Sequence, residues 1–286
     1  METPRIRESP KRRHAAELKE VWDPAGSSAA SRARLILALE QVQQLAAAFG
    51  DAKINWVLVK GAGLSLTVWP DPFVRPFSDL DVYVAPAAFG AAVRELTRLG
   101  YATETVPDAS QVHWTFHRED SFPVELHHVF SREFDAPRAL VERFVASGVP
   151  VATGGPGVLR VPAPAAHLAY VLLHAYNHGW QLSPSWALDV FFLLGRHGAI
   201  LEPALAFFPR DWPVALSLRV AALVVPALSE HLGAVSGPTL KERALLRRIA
   251  AALDHDGVSA FDSALLRVLA SPSPLLTLGS MISRYQ

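Results

Sequence analysis

Between Leu35 and Phe49 apolar residues recur at spacings of three and four, which predicts an amphipathic helix with Gly50 available as its stop. The stretch before it, residues 24–32, is small and polar and reads as a linker or turn. After the helix the texture changes. Ile54 to Val59 is a short apolar, β-branched run and predicts a buried strand, followed by a short helix over Ala62 to Trp69. Pro70, Asp71, Pro72 and Pro76 predict an ordered loop, because proline fits neither a helix interior nor a central strand. Asp79 to Val84 alternates polar and apolar positions, as a half-buried strand does. A helix over Ala87 to Leu99 closed by Gly100 comes next. Candidate strands follow at Tyr101 to Val106, Val112 to His117 and Pro123 to Phe130, the last two joined by a polar turn at Arg118 to Ser121.

From Ser147 to Pro164 the chain is rich in Gly and Pro, and a domain boundary is expected there. Beyond it the periodicity is helical throughout: Ala165 to His178, Ser185 to His197, Trp212 to Leu232, Thr239 to Leu253 and Ser259 to Leu269. The expected organisation is a flexible N-terminal arm (1–32), a mixed-sheet α/β (α+β) domain (33–150) and an α-helical C-terminal domain (151–286).

Composition supports folded cores: half of the 286 residues are hydrophobic and 19% are charged. The 27 basic and 27 acidic residues cancel, so there is no global attraction for nucleic acid or an anionic membrane. With no cysteine, disulfide frameworks, thiolate zinc sites and cysteine nucleophiles are excluded. Arg5, Arg7, Lys11, Arg12 and Arg13 near the N-terminus lack the apolar run of a secretory signal and read as a solvated arm or a weak anion-binding tail. The apolar stretch from Val214 to Val225 is interrupted by Arg219 and is shorter than the roughly 20 residues of a membrane span. A soluble, cytoplasmic protein is the expectation, with no membrane partner.

Residues two apart on a strand share a face, so Asp79 and Asp81 present their carboxylates together while Leu80 and Val82 face the core. Paired carboxylates repel unless a cation intervenes, and a hard divalent ion such as Mg2+ favours carboxylate and phosphate oxygens. Glu125, between Val124 and Leu126, can bring a third carboxylate to the same place, as a metal ligand or as a base. His127 shares the face of Glu125 and borders the site, whereas His128 points the other way. Lys60-Gly61-Ala62-Gly63 follows an apolar strand and opens a helix, where glycines can let the backbone approach a phosphate; small residues there also serve tight strand-to-helix packing.

Taken together, Lys60-Gly61, the Pro-rich loop with Arg75, Ser78-Asp79-Leu80-Asp81-Val82 and Val124-Glu125-Leu126-His127 resemble the polymerase-β-type nucleotidyltransferase superfamily. Within it the chain is similar to the bacterial group labelled uncharacterised nucleotidyltransferase, over roughly residues 35–200. The resemblance implies a nucleotidyltransferase-like fold. It also implies a magnesium-dependent reaction (Mn2+ being the alternative ion) in which Asp79, Asp81 and Glu125 hold the metal and carry the catalysis. A nucleoside triphosphate, ATP or another, would be the substrate, and its nucleotidyl group would pass to an acceptor hydroxyl on a small molecule, peptide, protein or RNA. The neutral charge balance disfavours a long nucleic acid as acceptor. Lys60 and Arg75 become candidate phosphate clamps, and Ser78 lies in the quoted motif. Because Ala62 stands where the superfamily usually has serine or glycine, backbone N–H groups of the Gly61-Ala62-Gly63 turn, Lys60 or Ser65 would have to serve the phosphates. A nucleotide- or metal-binding module of the same fold with little turnover, and a phosphoryl-transferring variant, stay open beside this reading.

Other residues carry competing chemistry. His174 and His178 share a helix face, and Asp189 on the next helix could complete a zinc site or simply hydrogen-bond His174 between packed helices. A hydrolase built on them is the third reading. Asp254-His255-Asp256 with Gly257 reads as a helix-ending turn, Trp180 and Trp186 as packing, and Lys241, Arg243, Arg247 and Arg248 as a solvated basic face.

Overall fold

The alternating segments assemble into one mixed four-stranded sheet in a computed structural model that describes residues 29–103, 112–131, 136–153, 157–180, 185–255, 266 and 268–271. The described residues form two compact units, one ending at Ala163 and the other beginning at Pro164.

In the first unit, helix α1 (Ala29–Asp51) buries Leu35, Ala38, Val42, Leu45 and Phe49 on one stripe. It starts within the stretch expected to be a turn, because the exposed Ala29 and Ala33 are strong helix formers. It also runs through Gly50. The left-handed residue that ends it is Lys53 (φ 53°), with Ile54 N–H donating to the Phe49 carbonyl at 2.8 Å. Strand β1 (Trp56–Val59) leads directly into α2 (Lys60–Thr67), and an ordered Pro-rich loop leads on to β2 (Leu80–Val84). A 3-10 turn (Pro86–Ala88) precedes α3 (Phe89–Arg98), which Gly100 (φ 86°) closes. Of the strand expected at Tyr101 to Val106, one bridge from Ala102 to His117 is formed and residues 104–106 lie outside those described. Strands β3 (His113–Phe116) and β4 (Val124–His127) complete the sheet in the order β1-β2-β4-β3. The β2–β4 pair is parallel and the other two are antiparallel.

One face of this sheet is the apolar core. Trp56, Leu58, Leu80, Val82, Val84, Phe116, Val124 and Leu126 pack there against α1 and α3. Each fully buried Leu, Val or Phe contributes about 1.5–3 kcal/mol. The opposite face carries Asp81, Tyr83, Glu125, His127, His113 and Thr115. Its far end is covered by α4 (Arg138–Ala146), where Phe144 and Phe130 meet the Tyr83 ring edge-on and tilted at 5.2 and 5.5 Å. The Gly- and Pro-rich segment after α4 holds a hairpin of β5 (Val149–Val151) and β6 (Leu159–Val161), packed beside β1 and α1.

The second unit is helical: α5 (Pro164–Asn177), α6 (Ser185–His197), a short α7 (Leu201–Leu205), α8 (Val214–Val224) and α9 (Leu240–His255). The long helix expected over Trp212 to Leu232 is broken at Pro226, and a 3-10 segment (Pro226–Ala234) takes over. The short α7 carries no periodic signal long enough to predict it. Arg219 is buried in this unit, donating to the carbonyls of Ala215 (3.2 Å) and Ser236. Trp180 and Trp186 are buried, with Trp180 Nε1 donating to Ser217, and the basic residues of α9 face outward. Of the last expected helix, Leu266 and residues 268–270 are helical and the remainder lies outside the described residues, as do residues 1–28, Asp256 and Gly257. No helix among the described residues is long and apolar enough to cross a membrane.

Candidate active site

Parallel pairing of β2 with β4 sets Asp81 opposite Glu125, and antiparallel pairing of β1 with β2 sets Val59 opposite Asp81. Charged groups therefore collect where β1 ends and β2 and β4 begin. Lys60, the residue after β1, sits in the left-handed region (φ 49°), which turns the chain from strand into helix. Its ammonium is ion-paired with Asp81 and lies 4.0 Å from Oε2 of Glu125.

Asp81 is almost wholly buried. Desolvation opposes its charge, but Lys60 and His127 outweigh that and hold its carboxyl below the usual range. Asp79, one residue before β2 and half-buried, goes the other way. Desolvation, and then the charges of Asp81 and Glu125, push it up to about 6. Its Oδ2 accepts from the Ser78 hydroxyl at 3.3 Å. For Glu125 burial raises the pKa, and hydrogen bonding to His127 together with Lys60 brings it below its ordinary value. His127 is buried, with Nε2 3.0 Å from Oδ1 of Asp81 and 3.4 Å from Oε2 of Glu125. Its ring stacks on Tyr83 at 5.2 Å and 12°, and its Nδ1 is buried with no hydrogen-bond partner. His128 turns to the other side and packs on Phe89 at 4.2 Å.

The glycine turn has a packing role. A Cβ on Gly61 would lie 2.6 Å from Cβ of Phe77, and one on Gly63 would lie 2.7 Å from the Leu58 carbonyl oxygen. Ala62 and Ser65 are buried, and the Ser65 hydroxyl donates to the Pro72 carbonyl at 2.7 Å, tying α2 to the Pro-rich loop. Arg75 lies over Trp69 (5.8 Å to the ring centre) and donates to the Pro76 carbonyl. The structure thus joins Lys60, Asp81, Glu125 and His127 through ion pairs and hydrogen bonds, with Asp79 near enough for its charge to be felt by Asp81 and Glu125. Arg75 lies in the Pro-rich loop, and Ser65 lies in α2, bonded to that loop.

His113 completes the group, and nothing in the sequence reading singled it out. It faces His127 across β3–β4 (ring centres 4.8 Å) and its Nε2 is 3.6 Å from Oε1 of Glu125. Among the described residues, the one set of three whose donor atoms lie within 4.8 Å of one another is His113, Glu125 and His127. His174 in α5 and His178 just after it have ring centres 4.3 Å apart, tilted by 53°, but belong to no such set, and Asp189 is buried in α6. The signal for His113 was its place in the alternation His113, Thr115, His117; using it required the register of β3 on β4.

A family model described as uncharacterised nucleotidyltransferase matches residues 4–230. Among solved structures, the chain is similar to a solution structure of the antibiotic-resistance factor ANT(2'')-Ia, at 14% identity and TM-score 0.43, covering 59% of this chain and 90% of that one. A crystal structure of ANT(2")-Ia in complex with adenylyl-2"-tobramycin gives 13% identity, TM-score 0.43 and coverage of 59% and 96%. A crystal structure of an antigenic nucleotidyltransferase-like protein from Paracoccidioides brasiliensis gives 16%, 0.42, and 68% and 92%. No curated protein matches the chain.

Proposed function

Since the chain belongs to the uncharacterised nucleotidyltransferase family, we propose that it is a Mg2+-dependent, cytoplasmic enzyme that moves a nucleotidyl group from a nucleoside triphosphate to an acceptor hydroxyl. The observation that carries this reading is the in-register pairing of Asp81 with Glu125, with Asp79 alongside.

The charge of the donor set suits a divalent cation. Three carboxylates face one ammonium, which leaves two negative charges uncompensated, and burial followed by the charges of Asp81 and Glu125 raises the pKa of Asp79. Asp79, Asp81 and Glu125 would hold Mg2+, which supplies charge neutralisation on the triphosphate when bound. The chain's own groups do the rest. Lys60 steadies Asp81 and Glu125 and is near enough to meet a phosphate oxygen. Glu125 is the group able to take the proton of the acceptor hydroxyl as its oxygen attacks the α-phosphorus. The α–β phosphoanhydride bond then breaks and pyrophosphate leaves. The acceptor is a small molecule, peptide or protein in preference to a long nucleic acid, in keeping with the balanced charge.

Pyrophosphate release from ATP, GTP, CTP and UTP, followed with candidate acceptors, tests the reaction. Glu125→Gln is expected to lower the rate by about 10²–10⁴-fold. Calorimetry should show nucleotide binding that needs Mg2+ and is lost when Asp79 and Asp81 are both replaced by Ala; nucleotide binding indifferent to either change overturns the reading. A second reading, a binding module without turnover, is favoured by the packing role of Gly61 and Gly63 and by the Lys60–Asp81 pair. It predicts Mg2+-nucleotide binding with no pyrophosphate. A phosphoryl-transferring variant predicts nucleoside diphosphate instead.

A further inference from the structure

We propose that His113, Glu125 and His127 form a cation position of their own, suited to a borderline transition ion such as Co2+ or Zn2+ and distinct in preference from the carboxylate position for Mg2+. The inference rests on the reading above only in that the two positions share Glu125.

The geometry is already close to that of a ligand shell. Nε2 of His113 is 3.6 Å from one Glu125 oxygen, and Nε2 of His127 is 3.4 Å from the other. Ligands about 2.1 Å from a tetrahedral ion are separated by roughly 3.4 Å, and each histidine lies near that spacing from one oxygen of the same carboxylate. All three donor atoms lie within 4.8 Å of one another. The backbone sets this arrangement. His113 and His127 are directly paired across β3–β4, and Glu125 lies two residues before His127 on the same face. The ring of His127 is fixed by stacking on Tyr83, so its Nε2 is aimed without any hydrogen bond at Nδ1. His113, by contrast, is 38% exposed and leaves a way in from solvent.

Two imidazole nitrogens and one carboxylate decide the ion class. Mg2+ prefers an all-oxygen shell and gives up water reluctantly, whereas imidazole suits Zn2+, Co2+ and related ions. Asp79 and Asp81, with oxygen donors alone, lack that preference and are absent from the histidine-containing set. Residues on three strands would thus sort two ions by ligand softness, with Glu125 on the border.

Full-length, untagged protein stripped with chelator and titrated with Co2+ provides the test, because bound Co2+ absorbs in the visible. The expected result is a saturable band that Zn2+ abolishes and that roughly hundredfold excess Mg2+ leaves in place. His113→Ala should weaken Co2+ binding by about tenfold or more; its position on the edge strand keeps folding intact, which a thermal melt verifies. Asp79→Ala should leave the band. A missing band, displacement by Mg2+, or a band indifferent to His113→Ala overturns the proposal. Mg2+-dependent nucleotide binding is read separately by calorimetry. If it persists while the band is absent, this inference falls alone; if the band persists while nucleotide binding is absent, the proposed function falls alone.

Discussion

The Lys60 ammonium is ion-paired with the carboxylate of Asp81 at the end of a strand whose next residue turns into a helix with φ 49°. Both groups are largely removed from water, so the pair is sensitive to loss of either member. Lys60→Ala is expected to destabilise the metal-free protein by about 3 kcal/mol, because it leaves a buried carboxylate without its cation. Lys60→Gly removes the same ammonium but adopts the left-handed backbone freely, and should be more stable than Lys60→Ala by about 1 kcal/mol. Chemical denaturation of the two variants with chelator present measures both effects. Equal stability would mean the positive φ costs nothing.

Asp79 is a carboxylate whose charge the fold opposes. Its folded-state pKa of about 6 stands above the ordinary 3.8, through burial first and then Asp81 and Glu125. The stability this group permits is full below pH 3.8 and is lost as pH rises through about 6. Asp79→Asn should therefore stabilise the metal-free protein at pH 7.5 by about 1 kcal/mol after allowing for its partial exposure. In melting temperature that is roughly 2–4 °C. The gain should vanish below pH 4 and shrink when Mg2+ is added, and melts across pH with and without Mg2+ would show it.

The glycines divide by what surrounds them. Gly63→Ala puts a Cβ 2.7 Å from the Leu58 carbonyl oxygen, and Gly61→Ala puts one 2.6 Å from Cβ of Phe77. Each should cost about 1–3 kcal/mol. Phe77→Ala cannot rescue Gly61→Ala, since the obstructing atom is the Cβ that alanine keeps. Gly50 lies in the last turn of α1 with nothing within 4 Å of a Cβ, so Gly50→Ala should stabilise by about 0.5–1 kcal/mol. Urea midpoints of the three single variants test the opposite signs.

In the helical unit, burial pushes the His167 imidazole down to about 3, whereas an unfolded chain takes up that proton near 6.5. Stability from this group is full above pH 6.5 and is lost as pH falls from there towards 3. The limiting slope is about 1.4 kcal/mol per pH unit. His167→Gln removes the titration, so the stability gap between the two proteins should narrow steadily on acidification. A gap independent of pH between 7 and 4 would contradict the burial effect.

Much of this architecture was legible because it depends on local periodicity. The stripe Leu35, Ala38, Val42, Leu45, Phe49 and the alternation over residues 79–84 and 124–127 each identify a face without knowledge of partners. That alternation placed Asp81 and Glu125 on the side away from the core, where the structure sets them side by side. The parts that escaped depend on relations between distant segments. His113 meets Glu125 only through the β3–β4 register, and Lys60 meets Asp81 only because β1 runs antiparallel to β2. Local rules also misled where one residue overruled its neighbours. Pro226 divided an otherwise helical run, and Lys53 in place of Gly50 supplied the left-handed stop of α1.

Val59, Asp81, Glu125 and Thr115 form a single rung across four hydrogen-bonded strands. Neighbouring strands are held roughly 4.8 Å apart by the backbone itself, so the distance between Asp81 and Glu125 is ruled by the sheet, whatever side chains surround it. Such a floor behaves as a fixed gauge: the chemistry it supports is set in increments of one strand, and diversity in what is modified has to be written into the loops and helices around it.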